Sequence, residues 1–133
     1  MAGEGTSWGR RDVPRPPDPG PLVRRRSLVI AEHQVRAFTT ITGARYPIHD
    51  DVRYAWDLGY PNILVQGLLL LLIQLHWASV GTPGRAEIWF RRPVPAGSLL
   101  ELCRSVESPD LWAFRLGSTA EVVAVARLAS PAR

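Results

Sequence analysis

Gly67-Leu68-Leu69-Leu70-Leu71-Leu72-Ile73-Gln74-Leu75-His76-Trp77-Ala78-Ser79 is the stretch on which the fold class turns. A glycine opens it, and Gly81-Thr82-Pro83-Gly84 closes it with turn chemistry. From Leu68 to Ile73 every direction around a helix is apolar, so protein is expected on all sides of it. Gln66, Gln74 and His76 interrupt the wider apolar run from Ile63 to Val80, and Gly67 splits it. That favours a buried core helix over a membrane span.

Downstream the periodicity changes. Ala86 to Arg92, Ser98 to Glu107, Leu111 to Gly117 and Glu121 to Leu128 read as four strands. Pro93-Val94-Pro95-Ala96-Gly97, Ser108-Pro109-Asp110 and Gly117-Ser118-Thr119 separate them, and the last two favour antiparallel hairpins. Upstream, Leu22 to Ala31 reads as a first strand and Glu32 to Thr40 as a helix with Val35, Phe38 and Thr39 on one face. Gly43 ends that helix and Pro47 blocks any continuation. Asp50 or Asp51 is placed to cap a short helix beginning at Val52 and Arg53. This order predicts an α+β domain in which an antiparallel sheet curls around the apolar helix.

The Pro-, Gly- and Arg-rich residues 1–21 cannot bury enough apolar surface to offset their ordering entropy. They are expected to form a flexible or extended arm, with residues 22–133 as a single domain. A hydrophobic content of 46% in 133 residues suits one soluble domain with one core. The net charge is +4, and all 16 basic residues are arginine. Such a surface attracts an anionic partner, such as a carrier protein, a nucleotide-bearing coenzyme or nucleic acid, or is simply solvated. The basic residues are scattered and no nucleic-acid-binding motif is present, so nucleic acid ranks last. Cys103 is the only cysteine, which excludes an intrachain disulfide and a cysteine zinc site. A lone cysteine without a secretory signal points to a reducing cytoplasm. No two histidines share metal-ligand spacing, and nothing calls for a cofactor.

The chemistry-bearing stretch is Thr42-Gly43-Ala44-Arg45-Tyr46-Pro47-Ile48-His49, followed by Asp50-Asp51, Tyr54-Ala55, Gly59-Tyr60-Pro61 and Val65-Gln66-Gly67. It resembles the MaoC-like hydratases and dehydratases of the hot-dog fold, whose loop has the form Thr-Gly-Asp-x-Asn-Pro-Ile-His. The chain departs from that form at Ala44, where the family has Asp, at Tyr46, where it has Asn, and at Gln66, where it often has His. It is also similar to the branch of hydroxyacyl-thioester dehydratases and mesaconyl-thioester hydratases, which often lacks the Asp at the position of Ala44. The resemblance implies a hot-dog fold and a lyase that hydrates or dehydrates an acyl thioester carried on coenzyme A or an acyl carrier protein. Polyketide or other secondary metabolism is a possible setting.

Water addition to an α,β-unsaturated thioester needs a base for the water and a donor for the developing enolate oxygen. An imidazole serves the first need near neutral pH. Unpaired amides at a helix start serve the second. The resemblance assigns His49 as acid/base and the Gly67 N–H as oxyanion donor. Gln66, Asp51, Asp50 and Tyr46 are the candidates to replace the missing carboxylate, with capping as the default role for the two aspartates and a pocket wall as the alternative for Tyr46. Tyr46, Asp50, Tyr60, Leu68 and Trp89 are the expected substrate-binding positions. Two other functions stay open: a cyclase or isomerase of a natural-product pathway on the same scaffold, and a non-catalytic partner subunit of a dehydratase. By analogy with the fold, a homodimer is expected, with a heterodimer of two hot-dog subunits as the variant.

Overall fold

The structure, a computed structural model, describes residues 15–78 and 84–129. Five strands and three helices follow one another along the described residues. Strand β1 is Leu22–Val29, helix α1 Glu32–Thr42, a 3-10 turn Pro47–His49, helix α2 Val52–Asp57 and helix α3 Gly67–Trp77. Strands β2 Arg85–Phe90, β3 Leu99–Ser105, β4 Leu111–Leu116 and β5 Val122–Ala129 complete the chain. The strands form one antiparallel sheet in the order β1-β3-β4-β5-β2, so β1 and β2 are its edges.

The sheet curls around α3, which is the hot-dog arrangement. Alternation along the strands divides its two faces. Leu100, Leu102, Trp112, Phe114, Ala124, Ala126 and Leu128 join Leu70 of α3 in the main core. Leu111, Ala113 and Val125 make a second, smaller cluster. Gly43 stops α1 as expected: it sits in the left-handed region at φ 71°, with its N–H donating to the Thr39 carbonyl at 2.9 Å.

Two expectations need adjustment. Helix α3 is not covered on every side within one chain: Leu70 is 2% exposed, whereas Leu68 is 54% and Leu72 46% exposed. A single five-stranded sheet shields one side of a helix, and the opposite side is left facing water. The Pro-rich stretch is also tied down where it meets the domain. Pro19 is buried, its carbonyl accepts from the Ser105 hydroxyl at 2.6 Å, and the Pro21 carbonyl accepts from the Val106 N–H at 3.0 Å. Residues 1–14 and 79–83 lie outside the described residues, including the turn at Gly81-Thr82-Pro83. Among the described residues no helix is long and apolar enough to cross a membrane.

Candidate active site

Pro47 at the start of the 3-10 turn puts His49 at its end, with the His49 N–H donating to the Tyr46 carbonyl at 2.9 Å. The turn is then paired with the segment that leads into α3. The Leu64 N–H donates to the Ile48 carbonyl at 2.9 Å, and His49 Nδ1 lies 2.7 Å from the Leu64 carbonyl oxygen. A carbonyl oxygen only accepts, so Nδ1 carries the proton. In the neutral form of this half-buried ring the lone pair is then on Nε2, the arrangement a general base requires.

Three residues beyond Leu64, α3 begins. The amides of Gly67, Leu68 and Leu69 have no intrahelical acceptor, and no other bond among the described residues uses them. A cavity of about 450 Å³ lies beside this helix start, walled by Val65, Gly67, Leu70, Phe90, Arg91, Arg92, Pro93 and Val94. A Cβ on residue 67 would stand 2.6 Å from Phe90 Cζ, so the absence of a side chain at Gly67 is what keeps this space open. His49 is not among the walls of that cavity. The ring and the helix start are joined through Leu64 and Val65, and Val65 N–H donates to the Val94 carbonyl at 2.8 Å on the far side.

Gln66 caps α3 with its backbone only. Its side chain turns to α1, where Nε2 donates to the Thr39 hydroxyl at 2.9 Å and to the Val35 carbonyl at 3.1 Å. The Val35 carbonyl demands a donor, which sets the amide orientation. Oε1 of Gln66 is left buried with no partner. Asp51 is the cap of α2, accepting from the N–H groups of Arg53 at 3.0 Å and Tyr54 at 3.3 Å. Asp50 pairs with Arg36 of α1, whose guanidinium also donates to the Asp50 carbonyl and to Glu32 at 2.9 Å. The hydrogen bond from Arg36 holds the Glu32 carboxyl below the usual range, against a smaller opposing effect of burial.

Ala44 is exposed, and Tyr46 is 63% exposed. Tyr60 is half-buried after α2, with its N–H on the Ala55 carbonyl at 2.9 Å. Leu68 lies on the uncovered side of α3. Trp89 pairs in register with Val125 of the smaller cluster and lies near Arg127, on the face away from α3. Its neighbour Phe90 is the β2 aromatic that meets Gly67. The structure thus brings His49, Gln66 and Gly67 onto one connected segment and gives Asp51 and Asp50 structural partners. Of the walls from Phe90 to Val94, the sequence offers Phe90 as a core or interface residue first and a pocket wall second, and Arg91-Arg92 as a basic pair able to meet phosphates or be solvated, while Pro93 and Val94 read only as a strand separator.

No protein-family model matches the chain, and no curated protein matches it. Solved structures match it closely in shape. HtdX of Mycobacterium tuberculosis superposes with a TM-score of 0.69 at 19% identity, over 80% of this chain and 47% of that one. The chain spans about half of the HtdX length. The C-terminally truncated HadBC (3R)-hydroxyacyl-ACP dehydratase complex of the same organism gives 0.58 at 20% identity, over 79% and 90% of the two chains. The R-hydratase PhaJ1 from Pseudomonas aeruginosa gives 0.57 at 22% identity, over 84% and 81%. The chain therefore has the hot-dog fold of the MaoC-like and (R)-hydratase structures.

Proposed function

We propose that this chain is a hydratase or dehydratase acting on an acyl thioester of coenzyme A or an acyl carrier protein. The observation that carries the reading is the bond from His49 Nδ1 to the Leu64 carbonyl at 2.7 Å, which reserves Nε2 for proton transfer just ahead of a helix start with free amides. In the hydration direction, Nε2 removes a proton from water as its oxygen adds to the β-carbon. The thioester oxygen takes the resulting enolate charge on the Gly67 N–H, and the imidazolium returns the proton to the α-carbon. A donor so placed contributes about 3 kcal/mol to the transition state. The fold neighbours that are an R-hydratase and a hydroxyacyl-ACP dehydratase support the reaction class.

The single domain then spans residues 22–133 and works as a homodimer in the cytoplasm, with the open sheet edges and the uncovered side of α3 as the contact surfaces. The test is turnover of crotonyl and longer enoyl thioesters by the purified protein, with His49→Ala as control. Absence of hydration in both directions would reject the reading.

A second reading is favoured by a specific observation. Ala44 offers no polar side chain, and Asp50 and Asp51 are already engaged, so the site holds one titratable group where the family motif holds two. In this reading the chain shapes the substrate tunnel for a second hot-dog subunit, an arrangement supported by the heteromeric HadBC complex among the fold neighbours. Activity that appears only on co-expression with such a subunit would select it. A natural-product cyclase or isomerase is selected instead by turnover of a linear polyketide without any hydration.

A further inference from the structure

Gln74 is fully buried in α3, and neither Oε1 nor Nε2 of its side chain has a hydrogen-bond partner among the described residues. Buried polar atoms in folded proteins are nearly always paired. An amide with both ends unused in an apolar core is an anomaly that a methionine or leucine would remove at no cost in shape. Its position is informative. Gln74 is seven residues after Gly67 and four after Leu70, and residues at these spacings share one helix face. Leu70 walls the cavity beside Gly67, so Gln74 is the next side chain inward along the same face. Strand β5 contributes the small side chains of Ala124, opposite Phe90, and Ala126, opposite Ile88, to the same core cluster as Leu70. Gln74 itself lines no cavity among the described residues, so a chain entering from the cavity would reach it only by displacing Leu70.

We propose that Gln74 is a specificity-determining residue that pairs with an oxygen function carried by the acyl chain of the substrate. The inference rests on the acyl-thioester reading above. With the thioester oxygen on the Gly67 amide, an acyl chain laid along α3 reaches Gln74 after about 10 Å, seven residues at roughly 1.5 Å each. The amide offers both a donor and an acceptor, so a ketone accepts from Nε2 and a hydroxyl serves either end. Leu70 is the side chain that turns aside to admit the chain. An unsubstituted alkyl chain would leave the amide as unpaired as it is now, and this is the basis of discrimination. The substrate class is thus a medium-length acyl thioester oxygenated well away from the carboxyl end, rather than a plain fatty acyl group.

The experiment uses the full chain and two saturated pantetheine thioethers of equal length, one plain and one with a ketone at the matching depth. Binding is measured by calorimetry for the wild type and for Gln74→Met, with melting temperature as the folding control. The expected result is about tenfold tighter binding of the ketone by the wild type, falling to near parity in Gln74→Met, with melting temperature unchanged or raised. Equal binding of the two by the wild type, a preference that survives in Gln74→Met, or no binding of either overturns the proposal. Should Gln74→Met fail to fold, Gln74→Asn takes its place, and the preferred ketone must then move one carbon farther along the chain. Enoyl-thioester turnover is scored separately. Turnover with no ketone preference rejects only the role of Gln74, and a Gln74-dependent preference without turnover rejects only the hydratase chemistry.

Discussion

His49 and Leu64 are paired reciprocally through the turn: the Leu64 N–H bonds the carbonyl of Ile48, and the imidazole of the next residue returns a bond to the Leu64 carbonyl. The ring nitrogen occupies the place that a second backbone amide would take in a β-ladder. Asparagine can supply the same donor without a titratable nitrogen. His49→Asn is therefore expected to keep its melting temperature near wild type and to lose about 10²–10⁴-fold in enoyl-thioester turnover. Parallel thermal melts and steady-state rates check it, and equal rates in variant and wild type would remove His49 from the chemistry.

Gly67 meets only the tip of the Phe90 ring, and Phe90 is 52% exposed. The ring is free to swing toward solvent, so Gly67→Ala should cost little stability, within about 1 kcal/mol, partly offset by the better helix propensity of alanine. The methyl group and the displaced ring both enter the space beside the amide. Turnover should then fall by at least about tenfold while the melting temperature barely moves. A parallel loss of both, scaled to one another, would mean that Gly67 is a packing position only.

The fold was readable where local signals were strong. The all-apolar α3, the Gly43 stop and the Pro- and Gly-bearing separators each placed an element within a few residues. Of the candidate positions, only the Pro47 turn and the Asp51 cap act within a turn of their own places, whereas His49 is held by Leu64, 15 residues on, and the space at Gly67 is set by Phe90. What escaped was set by pairing at a distance. Whether Trp89 or Phe90 faces α3 depends on a register with Val125 and Ala124 that neither residue encodes by itself. The destination of the Gln66 side chain depends on Thr39, 27 residues earlier. Nor does the apolarity of α3 tell how much of its covering comes from the same chain.

That Gln66–Thr39 bond joins α1 to the start of α3, and it is open to a double-mutant cycle. Gln66→Met and Thr39→Val should each cost about 1 kcal/mol, with a coupling of roughly 0.5–1.5 kcal/mol in the double variant. Chemical denaturation of the four proteins measures it. Strict additivity would show that the bond contributes nothing to stability.

Glu101 gives a pH dependence with a definite sign. The hydrogen bond from Arg115 Nε at 2.8 Å holds its carboxyl below the ordinary range. Burial opposes this more weakly, and the charges of Arg115 and Arg24 add to the lowering. A lowered native pKa means that the unfolded chain takes up protons first as pH falls. The stabilisation is fully present above about pH 4.3, the unfolded-state value, and is lost as pH drops through the native one. Melting temperature plotted against pH should fall less steeply on the acid side for Glu101→Gln than for the wild type. Superimposable acid limbs would show that the pair is energetically silent.

Arg36 reaches Glu32 within α1 and, with the same guanidinium, both the side chain and the carbonyl of Asp50, the residue after His49. One arginine thus makes the loop that carries His49 a rider on α1, and Gln66 fastens that helix to α3 as well. The loop bearing His49 and the start of α3 hang from a common beam, so a push on α1 from any neighbouring molecule shifts both together instead of prising them apart.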